Sequence, residues 1–471
     1  MTAAAAVAPR GLARFRPRTR RRELVLLVIV AVTLAVGGLS LGMTRTGTTT
    51  VEGGALLAIY VVALLIVHLA QSLAGRRTDQ VLLPTVGMLG GIGLLLMIRL
   101  PQGLVTQQVG GLTLGLGQLQ LVWLCIGLGI VGMLGIVVRS DAWLRMYKYT
   151  WAAAGIALLL LVFVLGVDQN GSRLTLVIGP FSGQPSELLK VILVVFLAGY
   201  LAEYRPLLAT ERTSIGPLSL PPLPYLLPML AMVGLSAGVV IVQKDLGAAL
   251  LFYAIFLVML YIATGRAAWV ALGIVLGAIA SVGLYLAFPT VQERVSVWID
   301  PFADPLGAGF QIVQALHAFA RGGLFGVGLG AGLPEIAGRL PIPAVHTDFP
   351  LAAIGEELGL AGVLAVLALY LVVVERGLRI AASAADAFRA LLAAGLALVV
   401  GLQAFVIAAG DLKLIPLTGI TLPYVSYGGS SLLVNSVVVG LLLALSDRGI
   451  EPPPPPRTRG AIMRPLRGRR G

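Results

Sequence analysis

The chain has 471 residues, of which 58% are hydrophobic and only 12% charged, with a mean hydropathy of +0.95. Soluble globular domains carry roughly 25% charged residues, so a soluble enzyme or binding module is excluded and an integral membrane protein is indicated. The formal charge of +13 does not point to nucleic acid, because most of the excess follows membrane topology and contact with anionic lipid.

A helix that crosses about 30 Å of hydrocarbon needs about 20 apolar residues. Twelve segments qualify in chain order: 24–42, 54–74, 81–100, 119–138, 150–167, 186–204, 223–242, 246–264, 268–288, 350–374, 387–409 and 427–446. The first follows a basic region, but it lacks a small-residue cleavage site and reads as an uncleaved span. With the amino terminus inside, 25 of the 34 basic residues fall on that same side. This bias assigns both termini to the cytoplasm. Residues 1–22 alternate Arg with Pro and Ala, and 449–471 combine Pro452 to Pro456 with scattered Arg. Neither can bury a core, so both read as disordered cytoplasmic tails. The lone cysteine, Cys125, allows no disulfide framework and fits a bacterial inner membrane. The expected fold is an all-α polytopic bundle of about 12 transmembrane helices, divided into 1–22, 23–138, 139–448 and 449–471.

Two connections expected outside are long, 168–185 and 289–349. Within the second, Gly309 to Leu316 predicts a short amphipathic helix at the interface. The run Arg321-Gly322-Gly323 to Gly330 permits tight turns and close backbone approach either to a ligand or between closely packed helices. In Gln184-Pro185-Ser186-Glu187, with Lys190, proline suits a first helical turn, and Glu187 and Lys190 share a face. They read either as a buried ion pair or as the charged wall of an outward cavity. Lys244 and Asp245 interrupt spans seven and eight and read as structural partners of Lys190, of Glu187 or of each other. Pro416 to Ser431, with Ser430 and Ser431, is dense in hydroxyls and freed amides that suit sugar or phosphate, or a broken helix re-satisfying its backbone. Finally, Leu340 to Phe349 delivers Asp348 to the edge of a span. A carboxylate there is costly unless paired, hydrated or used, and a helix cap is its simplest structural role. His346 reads as a packing or loop-positioning residue, since His68 and His317 supply no ligand spacing for a metal.

These motifs resemble, in order, the signatures of the SEDS family, the FtsW, RodA and SpoVE proteins of division, elongation and sporulation. The residues that carry the resemblance are Gln184 to Glu187 with Lys190, Asp245-Leu246-Gly247, Gly322 to Gly330, His346 to Phe349 with Glu356 to Gly359, and Pro416 to Ser431. The resemblance covers roughly 150–446. It implies a peptidoglycan glycosyltransferase that polymerises lipid II, the disaccharide-peptide on undecaprenyl diphosphate, at the outer membrane face beside a class B penicillin-binding protein. It also implies that Asp348 is the base. The chemistry suits a lone carboxylate, because diphosphate leaves well without a strong acid. An inverting hydrolase wants two carboxylates about 6.5–9.5 Å apart. Glu356 and Glu357 lie about 12–14 Å beyond Asp348 on a helix and read as supporting groups, with Gln184, Asp245, His346 and Thr347. Candidates to hold diphosphate are Lys190, Arg173, Lys244, Arg321 and Arg339, with Glu187, Ser430 and Ser431 beside them. A divalent cation, Mg or Mn, is the expected alternative holder, and no dedicated site for it is legible. A lipid-linked precursor flippase and a non-catalytic scaffold for a penicillin-binding protein are the alternative functions. Two departures from the family stand out. Five spans rather than three precede the loop at Gly171 to Leu176, which predicts an extra amino-terminal helix pair. Leu174, Thr175, Lys244 and Ile407 replace common family residues.

Overall fold

The computed structural model describes residues 19–109, 111–169, 172–178, 181–210, 213–215, 218–220, 223–242, 245–332 and 340–447. Both tails, Lys244 and Arg339 lie outside the described residues, as does the side chain of Arg173.

The helices in chain order are α1 (Arg21–Thr46), α2 (Gly54–Leu73), α3 (Leu82–Arg99), α4 (Leu116–Val137), α5 (Ala142–Met146), α6 (Lys148–Leu165), α7 (Pro185–Thr210) and α8 (Leu223–Val242). They continue as α9 (Leu246–Thr264), α10 (Ala267–Ala287), α11 (Pro289–Ile299), α12 (Phe310–Gly322), α13 (Pro350–Ala382), α14 (Ala387–Asp411) and α15 (Gly429–Leu445). Nine among the described residues are long and apolar enough to cross a membrane: α1, α2, α3, α4, α7, α9, α10, α13 and α14. The remaining predicted spans are helices with shorter apolar stretches, Lys148–Val162, Leu227–Gly238 and Gly429–Leu445. The molecule is a multi-pass membrane protein. Burial separates the helices by role: 89% of the apolar window is enclosed in α3 and α7, against 6% in α10. Around α7 pack α6, α9 and α14, while α15 lies on α4, and α13 bridges α12 and α14. The apolar sides of α1, α2 and α10 stay exposed, as lipid-facing helices require.

The all-α expectation needs one correction. Antiparallel hairpins stand between spans: β1 (Gln107–Val109) with β2 (Leu112–Leu114), β3 (Val167–Gln169) with β4 (Ser172–Ile178) and β5 (Phe181–Gly183), and β6 (Thr213–Ile215) with β7 (Leu218–Leu220). Three of the five residues Leu174-Thr175-Leu176-Val177-Ile178 are β-branched, which favours the pleated form, and pairing satisfies the backbone groups of these connections. Nor is 289–349 a plain loop, for it contains α11, a 3₁₀ turn at Pro301–Ala303 and α12. The predicted amphipathic helix at Gly309 to Leu316 appears as α12 and runs six residues further.

Buried charges at one end lock the first helices to the last. Arg20 pairs with Glu23 and donates to Thr78 at 2.6 Å, and Glu23 also meets His68 Nδ1 at 2.7 Å. Arg76 reaches Asp447 at 2.7 Å and donates to the carbonyls of Gly135, Ile136 and Val138. A guanidinium with every partner supplied can be buried without an uncompensated charge.

The glycine run makes a close backbone approach to α13. The α13 helix breaks at Gly359, where φ is +66°. Across this break the glycine run pairs with the opened backbone: Val327 N–H donates to Glu356 at 3.0 Å, Gly328 to Glu357 at 3.0 Å, and Leu360 to Gly323 at 2.9 Å. Gly326 has φ +81°, and a Cβ there would sit 2.1 Å from the Glu357 carbonyl oxygen. The freed carbonyls of a broken helix inside the bundle need these donors, and only glycine lets the strand approach. Replacing Gly326 by valine is expected to lower the thermal unfolding midpoint of the detergent-solubilised protein. The left-handed backbone alone costs about 1–2 kcal/mol, and an unchanged midpoint would contradict the pairing.

Candidate active site

Asp348 owes its position to an apolar triplet rather than to a helix. Ile342, Val345 and Phe349 are fully buried and pack with Leu96 and Met97 of α3, Leu100 just after it, Leu116 of α4 and Ile312 of α12. Their spacing of three and four turns His346, Thr347 and Asp348 to the other side. The Ala344 carbonyl accepts the amides of Thr347, Asp348 and Phe349 at 3.1, 2.9 and 3.3 Å, so the segment is a tight folded turn. The neighbouring loop clamps it, with the Tyr427 amide donating to the His346 carbonyl at 2.7 Å and Ser426 Oγ to the Thr347 carbonyl at 2.6 Å. Ser426 Oγ in turn accepts the Leu422 amide at 2.9 Å.

The helix-cap role expected for Asp348 is absent. Phe349 occupies the N-cap of α13 with no side-chain cap bond, and Pro350 follows as the first helical residue. Because proline has no N–H, one of the amides a cap would satisfy is missing. The carboxylate of Asp348 is therefore left for other work. Burial pushes it above the usual aspartate range, and a Thr347 hydrogen bond and the charge of Arg294 pull partly the other way. Burial also holds the His346 imidazole below its usual value, and so neutral. Its Nδ1 is buried without a hydrogen-bond partner, and the ring tilts against Tyr427 at 6.1 Å.

A second group gathers at the start of α7. Gln184, Ser186, Glu187, Lys190, Asp245 and Thr421 line a cleft of about 10 Å³, room for about one water. Lys190, expected to hold diphosphate, is 1% exposed and donates to Glu187 and to Gln403, each at 2.5 Å. The buried-pair reading of Glu187 and Lys190 is the one realised. Asp245 accepts Gln184 at 2.9 Å and Ser186 at 3.3 Å and caps α9 through Ala248 N–H at 3.1 Å, while its expected pairing with Lys244 lies outside the described residues. A capping aspartate already meets a helix's positive end. Ser430 Oγ accepts the Gln184 amide at 3.1 Å, and Ser431 lies beside Gln403 and Asn435. From Lys190 the bonds continue through Gln403 Nε2 to the Thr421 carbonyl at 2.8 Å. Leu422 and Ser426 then carry them to the Asp348 turn.

The third group stands apart from both. Glu357 pairs with Arg99 of α3 at 2.5 Å and accepts the Gly332 amide at 3.2 Å, while Glu356 pairs with Arg321 at 3.1 Å. Arg321, a candidate for diphosphate, is thus engaged by a carboxylate, and both glutamates are taken up by arginines.

Sequence reasoning missed two titratable groups. Arg294 of α11 acts on Asp348 and Asp245 together and donates to the Leu417 carbonyl at 3.4 Å. A lone cation in a short amphipathic helix next to a span was the available signal. Asp411, the last residue of α14, is also buried, with neither carboxyl oxygen hydrogen-bonded. Its signal, a carboxylate closing an apolar span, was equally present.

Comparison with known proteins agrees with this architecture. The chain is 40% identical over 388 residues to the peptidoglycan glycosyltransferase RodA of Mycobacterium tuberculosis, covering 82% of this chain and 81% of that protein. It is 36% identical over 324 residues to the stage V sporulation protein E of Bacillus subtilis, covering 68% and 84%. Among solved structures, one chain from a peptidoglycan synthase complex superimposes with a TM-score of 0.62 at 29% identity, over 79% of this chain and 98% of that one. The rod shape determining protein RodA of Thermus thermophilus gives 0.53 at 25% identity, over 79% and 97%. The sequence profile of the FtsW, RodA and SpoVE proteins, described as "Cell cycle protein", matches residues 79–449, so α1 and α2 precede the matched region. The chain belongs to the FtsW/RodA/SpoVE family.

Proposed function

We propose that this protein is a peptidoglycan glycosyltransferase that polymerises lipid II at the outer face of the bacterial cytoplasmic membrane, with inversion at the anomeric carbon and Asp348 as the base. The observation that carries this reading is a carboxylate held on a clamped turn, free of capping duty and facing one cation. The relatives' names support the activity, and the match to a chain from a peptidoglycan synthase complex supports a class B penicillin-binding protein as partner.

In this reading Asp348 takes the proton from the acceptor sugar hydroxyl as its oxygen bonds to the anomeric carbon. The bond from that carbon to the diphosphate oxygen breaks, and its electron pair leaves with the diphosphate. Burial makes Asp348 a better base than an exposed aspartate, and Arg294 offers positive charge to the departing group. Lys190 and Arg321 are committed to carboxylates and fit that task less well. A cluster of three or more His, Cys, Asp or Glu side chains does not occur among the described residues. Mg or Mn, if it takes part, would be held chiefly by substrate phosphates. The flippase and scaffold alternatives place no need for a base at Asp348, and neither is favoured by an observation of its own.

Four outcomes test this. With lipid II and a partner protein, Asp348→Asn is expected to lower the rate of glycan-strand formation by about a hundredfold or more; equal polymerisation would remove the base assignment. The wild-type rate should fall as pH drops through the Asp348 pKa, since only the carboxylate accepts a proton. Arg294→Gln removes a charge that favours the ionised form, so this acid limb should move to higher pH while KM rises roughly tenfold or more. Ser426→Ala should depress kcat far more than the unfolding midpoint, because it frees the turn while deleting about 1 kcal/mol per hydrogen bond. Equal losses would mean the clamp serves folding alone.

A further inference from the structure

At the end of the bundle that carries Asp348, the described residues form an open cleft of about 500 Å³, within the roughly 300–1,000 Å³ of small-molecule sites. Its walls come from two connections. The link between α1 and α2 contributes Glu52 and Gly53, and the segment from the end of α3 to the first turn of α4 contributes Gln102, Thr106, Thr113 and Gln118. Gly53 lets the first wall meet the second, since φ there is +65° and a Cβ would lie 2.7 Å from Ile98 Cδ1 of α3. Gln102 braces the second wall, with Nε2 donating to the carbonyls of Met97, Ile98 and Leu100 and Oε1 accepting the Gly117 amide at 2.7 Å. The same segment is tied to the Asp348 turn, because Leu100, Val105 and Leu116 belong to the apolar cluster that contains Ile342, Val345 and Phe349.

Several polar groups around this cleft have bonding capacity left over. Glu52 Oε1 meets Arg45 at 2.6 Å, whereas Oε2 is buried without a hydrogen-bond partner. Gln118 Oε1 accepts the Gly115 amide at 3.0 Å, and neither its Nε2 nor the hydroxyls of Thr106 and Thr113 are bonded among the described residues. Leu56 and Ile98 add an aliphatic patch beside them. Glu52 is the only charged side chain among the described residues that line the cleft, and the nearby cation Arg45 is already paired with it, so a diphosphate would find no counter-charge there. A carboxylate oxygen, an amide and two hydroxyls beside an aliphatic patch instead match an uncharged chain of hydroxyl and acetamido groups, which both donates and accepts. We propose that the cleft is a glycan-binding subsite that holds the growing strand, with Glu52 Oε2 accepting from a sugar hydroxyl or acetamido N–H. That the occupant is the product strand rests on the polymerase reading, whereas affinity for the saccharide does not. Such a grip keeps the strand from leaving between successive couplings and so governs its length. Because α1 and α2 precede residues 79–449 matched by the family profile, Glu52 and Leu56 supply a wall that the profile does not include.

Saturation-transfer NMR on the detergent-solubilised full-length protein tests the cleft without any assay of activity, using a tetramer of β-1,4-linked N-acetylglucosamine as the probe. The wild type is expected to bind it, Glu52→Ala to weaken binding by about tenfold or more, and Thr113→Val by about threefold or more. Should Glu52→Ala not fold, Glu52→Gln removes the charge while keeping the shape. No binding by the wild type, or equal binding by all three proteins, would overturn the subsite. Binding of trilysine in place of the saccharide would also overturn it, since the carboxylate would then be selecting an ammonium group. With lipid II and a partner protein, Glu52→Ala and Thr113→Val are expected to yield glycan strands shortened by about half or more. Strands of wild-type length despite weakened saccharide binding would remove the growing strand as occupant. If neither wild type nor variants polymerise, the polymerase reading fails while the NMR result still decides the subsite.

Discussion

The structure turns on the contact between two loops, the turn that carries Asp348 and the segment that leads into α15. Ser426 and Tyr427 supply the donors, and the carbonyls of Thr347 and His346 accept them. A lone carboxylate at a membrane edge can act as a base only if its orientation is fixed by something other than its own hydrogen bonds. Here the backbone is held from one side by polar bonds and from the other by Ile342, Val345 and Phe349 in the apolar core. The side chain between them is thereby aimed but not consumed. Close approach of the 424–425 backbone to α3 depends on Gly93, where a Cβ would lie 2.6 Å from the Tyr424 carbonyl oxygen.

A low-dielectric bundle sorts charged residues into those that are compensated and those that are used. Lys190 with Glu187, Arg99 with Glu357 and Arg76 with Asp447 belong to the first kind, each pair further satisfied by amides or carbonyls. Asp348 and Asp411 lie outside this pattern. The contrast separates a structural charge from a functional one better than proximity to a motif does, since Lys190 belongs to a motif and is fully engaged.

Much of the architecture was legible in the sequence because apolar length is a direct physical requirement of a span. The Gln184 to Glu187 start of α7 followed from proline and residue spacing, and α12 followed from amphipathic periodicity. The glycine run signalled close backbone approach, and only the packed structure shows that α13 is what it approaches. The three short antiparallel hairpin regions escaped because two- and three-residue ladders leave almost no periodic trace. Asp348 was found through its setting at the end of a polar stretch, but its freedom from capping depended on Phe349 holding the N-cap position.

By itself the sequence determined the membrane class, the approximate spans and the family, and it singled out Asp348 as the proposed base, since these depend on composition, length and order along the chain. Tertiary structure decided which charges face that base. Arg294 stands 54 residues before Asp348, on a helix whose packing no local pattern encodes. Electrostatic partnership is set by distance through the bundle and by desolvation, and both exist only once the helices have packed.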